Sequence, residues 1–194
     1  LQMTKSLSLK TFVGACTAAL LCLSQSAGAA TIYSDDVGGF YEPSLVRYVV
    51  SKGSFPTVVI ANPFGANTND ALLATLELPG DYPSVPLTAT TAKARDDGHL
   101  VLVFNPVRAS NGDTACAAPA SQSASTPIGD ANVLRLLAAF CYDSEMASEA
   151  IMEMPRPNGI NDRTFDRAMD ELMTVLLPTN SRHLIGGCVS AAAC

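Results

Sequence analysis

Histidine is the side chain best suited to moving protons near neutral pH, and this chain carries two, His99 and His183. His99 follows Asp96-Asp97-Gly98 at the mouth of an apolar run, whereas His183 sits in a weakly patterned tail. With Asp96 or Asp97 as its partner, His99 could be the base of a small hydrolase. No Gly-x-Ser-x-Gly elbow and no Ser-x-x-Lys accompanies it, so the pattern names no nucleophile. The same three residues offer two carboxylates and an imidazole to a divalent metal. Adjacent aspartates on an extended chain point in opposite directions, however, and a solvated turn built on Asp97-Gly98 is the plainer reading. The glycines match neither the dinucleotide nor the P-loop spacing, and we expect no metal and no cofactor.

A different chemistry is offered by two Asn-Pro dipeptides. Thr57-Val58-Val59-Ile60-Ala61 stops at Asn62-Pro63-Phe64-Gly65, and Leu100-Val101-Leu102-Val103-Phe104 stops at Asn105-Pro106. Proline cannot donate to a ladder, so each dipeptide marks a strand end. An asparagine amide brings an acceptor oxygen and two donors. If both ends lie on one edge of a sheet, Asn62 and Asn105 could hold a small polar ligand, with Phe64 as an aromatic wall and His99 nearby. Alternatively each asparagine caps its own turn. Asn62, Phe64, His99 and Asn105 are the candidate ligand-binding residues. The carboxylates Asp166, Asp170 and Glu171 are interleaved with Arg163 and Arg167 and read as an exposed helix face; Met152 and Met154 read as packing.

The elements that must position these residues follow from patterning. Residues 31–43 show no period and read as a lead-in. Leu45–Val50 is β-branched and aromatic and reads as a strand paired with the one at Thr57, with a helix over 44–52 as the alternative. Asn67-Thr68-Asn69-Asp70 caps a short helix carrying Leu72, Leu73 and Leu76, ended by Pro79-Gly80. A strand over 86–91 would complete a βαβ unit, and Asp97-Gly98 would turn it into Leu100–Phe104 as an antiparallel hairpin. Leu100–Phe104 is apolar on both faces and belongs in the middle of the sheet. Residues 107–131, rich in Ala, Ser and Pro, form a long loop. Val133–Cys141 reads as a strand, with helix the competitor, turning at Tyr142–Glu145 into Ala150–Met154. Phe165, Ala168, Met169, Leu172, Met173 and Leu176 recur at helical spacing behind Asn161 or Asp162 and ahead of Pro178. The tail 179–194 is loosely held apart from its cysteines.

With 194 residues the chain suits one domain with a real core. Lys5 and Lys10, an apolar run from Phe12 to Leu23, and small residues up to Ala30 describe an export signal over residues 1–30, cleaved after Ala29 or Ala30. That run is shorter than the roughly twenty residues of a membrane span, so the mature chain is expected to lack a transmembrane segment. Cys16 and Cys22 are poorly placed for lipid attachment, and a periplasmic or secreted protein is expected in place of an anchored one. Removing residues 1–30 takes away two lysines and no acid, so the net charge of −6 becomes −8. Such a surface has no basic stripe for nucleic acid. The cysteines beyond the signal, Cys116, Cys141, Cys188 and Cys194, are even in number and permit three pairings; Cys116–Cys141 with Cys188–Cys194 is preferred.

The order of an Asn-Pro-Phe strand end (Val59 to Gly65), a Val-Leu-Val-Phe-Asn-Pro strand end (Val101 to Pro106), an Ala-Ala-Phe-Cys strand (Ala138 to Cys141) and an Asp-Arg-Thr-Phe helix (Asp162 to Phe165) resembles exported proteins of alphaproteobacteria. Many of these are described as lipoproteins of unknown function. The resemblance implies export and a Cys116–Cys141 bridge, and it implies no activity.

The expectation is therefore a single α+β domain: a five- to six-stranded, mostly antiparallel or mixed sheet, a short helix after the first Asn-Pro turn, and a packed C-terminal amphipathic helix. The leading function is a non-catalytic envelope or secreted protein that binds a small polar ligand or an envelope protein through strand-end loops. A hydrolase using His99 with Asp96 or Asp97 is the alternative, and a purely structural envelope component the third reading.

Overall fold

The computed structural model describes residues 29–91, 97–107, 110–119 and 131–180. Most of the expected signal segment, Asp96, His183 and the Cys188–Cys194 pair lie outside them. In chain order the elements are β1 (Thr31–Val37), α1 (Pro43–Val50), β2 (Phe55–Ile60), α2 (Asn69–Leu73), β3 (Leu87–Ala89), β4 (His99–Phe104), α3 (Gly112–Ala117), β5 (Val133–Tyr142), β6 (Glu145–Pro155) and α4 (Arg163–Leu176). Among the described residues the strands form one six-stranded sheet in the order β1-β6-β5-β4-β2-β3. The pairs β1/β6, β6/β5 and β5/β4 are antiparallel, while β4/β2 and β2/β3 are parallel. The chain is thus an α+β domain on a mixed sheet.

All six residues of β4 are buried. Leu100, Leu102 and Phe104 belong to a large core that also takes in Val46 and Val49 of α1, Leu72 and Leu73 of α2, and the apolar stripe of α4. Val101 and Val103 face the opposite side and pack with Ala115 and Cys116 of α3 and with Leu137, Ala139 and Cys141 of β5. A strand covered on both faces has no polar side to show, which is why its sequence runs apolar without alternation. β5 and β6 join through a two-residue loop in which Asp143 and Ser144 both take left-handed φ, 51° and 64°. That is the turn geometry whose twist suits a tight hairpin.

α4 buries Phe165, Ala168, Met169, Leu172, Met173 and Leu176, the six residues its spacing predicts. Its start is set by Asp162, whose carboxylate accepts from Thr164 N (2.9 Å), Thr164 Oγ1 (2.6 Å) and Asn158 N (3.1 Å). These donors favour the ionised form and hold the Asp162 carboxyl at about 2, the Thr164 hydroxyl contributing most. Its far end is locked by two tyrosines. Tyr41 and Tyr82 both donate to the Pro178 carbonyl, at 2.8 and 2.9 Å. Burial, the largest cause for each, pushes both phenols above their ordinary range, so they stay protonated as donors.

The second face of the sheet is closed by α3, which is stapled to β5 by the Cys116–Cys141 disulfide with a Cα–Cα distance of 5.4 Å. Both cysteines are fully buried. α3 arises inside the stretch expected to be loop over 107–131. It is too short for an apolar period, but it has a local start signal: Asn111 Oδ1 accepts from Thr114 N (2.9 Å) while Thr114 Oγ1 accepts from Asn111 N (3.1 Å). The Gly112 N–H donates to the buried carboxylate of Glu149 on β6, so the helix is tied to the sheet at both ends.

Three expectations are corrected. Leu45–Val50 lies in α1 and not in a strand, so the helical alternative holds over Pro43–Val50, since Pro43 starts a helix well and a helix buries Val46, Val49 and Val50 while exposing Arg47 and Tyr48. The lead-in over 31–43 contains β1, whose alternation is broken by a register shift between Ile32 and Ser34. The stretch over 86–91 and Leu100–Phe104 make no hairpin; β3 and β4 flank β2 on opposite sides, both parallel to it. Gly98 therefore serves close packing and not a hairpin turn, because a Cβ there would collide with Val49 Cγ2 and crowd Phe140.

Two outcomes follow. Opening the 25-residue loop by Cys116→Ser with Cys141→Ser should lower unfolding stability by about 3–4 kcal/mol in urea titrations, on the chain-entropy estimate. Because the Asp162 carboxyl is lowered on folding, its contribution is complete above its unfolded value of 3.8 and is lost as pH falls through about 2. The stability gap between the native chain and Asp162→Asn should accordingly be constant at neutral pH and close across that acid window.

Candidate functional site

The parallel register of β2 and β4 decides the geometry. Thr57 pairs with Leu100 and Ile60 with Val103, so both strands end at the same edge of the sheet. Ala61-Asn62 and Asn105-Pro106 leave that edge side by side. The chain then departs to opposite faces: α2 packs through Leu72 and Leu73 on the larger core, whereas α3 packs through Ala115 and Cys116 on the smaller one. Neighbouring parallel strands whose connections part to opposite faces leave a crevice beyond their carboxyl ends, the usual ligand position in open sheets. The backbone is unusual on both sides of it. Ala61 has φ 54° and Asn105 has φ 48°, left-handed conformations that cost an alanine about 1 kcal/mol or more.

The side chains at the crevice do much structural work. Asn62 Oδ1 accepts from Phe64 N (3.0 Å), and its Nδ2 donates to Thr68 Oγ1 (3.2 Å) and Asn69 Oδ1 (2.8 Å). Both amide hydrogens are spent on closing the loop 62–69. Asn105 donates its backbone N–H to Arg135 O (2.7 Å) and accepts from Arg135 N at Oδ1 (3.3 Å), which extends the ladder to β5 by one position. Its amide nitrogen has no hydrogen-bond partner among the described residues. Asn105 is thus the side chain with donors to spare.

The other candidates do not converge here. Phe64 packs edge-on against Phe165 of α4, with centroids 5.4 Å apart, and serves as a joint between loop and helix. His99 opens β4 at the far end of the strand and is fully buried, with Nδ1 3.3 Å from the backbone oxygen of Asp97. The Asp97 carboxylate is held by Lys52 Nζ at 3.0 Å. Asp96, the other carboxylate expected beside His99, lies outside the described residues. Of the four expected ligand-binding residues, Asn62 and Asn105 stand at neighbouring strand ends, Phe64 adjoins Asn62 through its N–H, and His99 lies at the other end of β4. Among the described residues no group of three His, Cys, Asp or Glu could hold a metal ion, and no helix is long and apolar enough to cross a membrane.

Two features escaped the sequence. The strain at Ala61 carries no residue signature, since alanine suits most backbone conformations better than this one. An open groove of about 590 Å3 runs between α2 and β3; it depends on β3 being the last strand, which patterning does not reveal.

Relieving the strain should show as stability. Ala61→Gly should raise the urea midpoint by the equivalent of about 0.5–1 kcal/mol, while Asn105→Ala, losing its bond to Arg135 N and the residue best suited to its φ, should cost about 1–2 kcal/mol. No family model matches this chain, and neither a curated protein nor a solved structure matches it.

Proposed function

We propose that this chain is an exported protein that acts by binding and not by catalysis, taking a small polar ligand or a loop of an envelope protein at the crevice between Asn62 and Asn105. The observation that carries the reading is the parallel register of β2 and β4, which sets both strand ends side by side with their connections parting to opposite faces. Export is supported by the buried Cys116–Cys141 disulfide, a bond that persists in oxidising compartments. The signal-like pattern over residues 1–30 and the likeness to exported alphaproteobacterial proteins support the same compartment. A non-catalytic role is supported by the burial of His99 and the engagement of Asp97 with Lys52.

The test is to recover the mature protein from an envelope fraction, identify what co-purifies by mass spectrometry, and titrate it back while following backbone amide resonances. The expected result is a set of shifts centred on Ala61, Asn62 and Asn105, weakened by Asn105→Asp. Shifts confined to other parts of the sheet would remove the crevice as the binding site.

A further inference from the structure

The opposite border of the sheet carries a second, independent opportunity. Among the described residues β3 is the terminal strand on its side, with β2 as its neighbour. Phe55 N donates to Pro86 O (2.9 Å) and Thr90 N donates to Thr57 O (2.9 Å), so residues 86 and 90 turn their backbone groups inward. The N–H and C=O of one residue lie on the same side of a strand, and successive residues alternate. Leu87 and Ala89 therefore turn theirs outward, away from β2. Beside this edge lies the groove, floored by Leu73, Leu76, Val85 and Leu87 and rimmed by Asp70 and Glu77, with no Lys, Arg or His among its lining residues. Both rim carboxylates are exposed. Burial first, then Asp166, Glu77 and Glu171, hold the Asp170 carboxyl of α4 above the ordinary carboxylate range, which sets a third carboxylate within reach of the charge on Glu77.

An unpaired strand edge with ready donors and acceptors is a template for another strand. Sequence-reading grooves of this kind take main-chain hydrogen bonds for affinity and alternate side-chain pockets for choice. We propose that the β3 edge is a docking site for an extended segment of a partner protein bearing lysine or arginine, which adds to β3 as a further strand. Its main chain pairs with the outward groups of Leu87 and Ala89, its apolar side chains enter the floor of the groove, and its cationic side chains meet Asp70 and Glu77. The charge pattern selects this occupant over a second copy of the chain, because two like acidic rims would repel.

Fluorescence anisotropy with labelled short Val- and Thr-rich peptides carrying Lys or Arg at both ends, at low salt, tests it. The peptides should bind, and counterparts N-methylated at alternate amides should not, since they keep the charge and lose the pairing. Ala89→Pro removes one outward N–H without touching the bonds to β2 and should abolish binding while the far-UV spectrum stays unchanged. Asp70→Lys with Glu77→Lys, both on the surface, should weaken binding by about tenfold or more. The proposal is overturned if no such peptide binds at concentrations on the order of 1 mM, or if binding is indifferent to N-methylation and to these substitutions. It is overturned equally by a concentration-dependent dimer that Ala89→Pro dissolves, for then the occupant is a second copy. None of these readings depends on the Asn62–Asn105 crevice.

Discussion

β4 is the constraint from which the rest of the structure follows. It is the strand at which the sheet changes sense, antiparallel to β5 on one side and parallel to β2 on the other. Its alternating side chains are divided between two cores, and every one of them is buried. A strand in that position has to be enclosed by helices from both sides, and the chain supplies α1, α2 and α4 to one face and α3 to the other. The neighbouring placement of Asn62 and Asn105 is a by-product of that arrangement: the parallel partner ends where β4 ends, and the two connections leave for opposite faces.

The two faces are closed by different means. The larger side is closed mainly by apolar area, with Phe140 edge-on to both Tyr41 and Phe55. Its polar requirements are few: the Ser148 hydroxyl donates to Leu176 O, and Tyr41 and Tyr82 donate to Pro178 O, so carbonyls at the end of α4 and just beyond it find donors from β6 and two loops. The smaller side has a six-residue helix that cannot bury enough surface to hold itself. A covalent bond at Cys116 and a hydrogen bond from Gly112 to Glu149 fasten it instead. The disulfide supplies the fastening that the small apolar face of α3 does not.

How much of this could be read from residues alone depended on whether the deciding interaction was local. α4 was legible because its stripe, cap and stop all lie within one stretch. The β5–β6 hairpin was legible because Asp143-Ser144 sits between two apolar runs. α1 is legible only as the alternative, because β-branched Val46, Val49 and Val50 favour a strand intrinsically and burial overrides the preference; Pro43 at its start is the local signal for the helix. β1 was hidden by its register shift. Adjacency in sequence suggests a hairpin of β3 with β4, whereas the fold places β2 between them. At the site, the strand ends and their asparagines were evident, but the orientation that joins Asn62 to Asn105 and separates both from His99 is a property of the sheet and not of either strand.

The account therefore stands on the sense of one strand pair. The most direct measurement is the set of interstrand amide and Hα nuclear Overhauser contacts between β2 and β4 in the oxidised protein. The account predicts the parallel pattern, with contacts linking Val58 to Val101 and Ile60 to Val103 and placing Asn62 beside Asn105. Contacts linking Thr57 to Phe104 and Ile60 to Val101 would show an antiparallel pair, put the two asparagines at opposite ends, and contradict it.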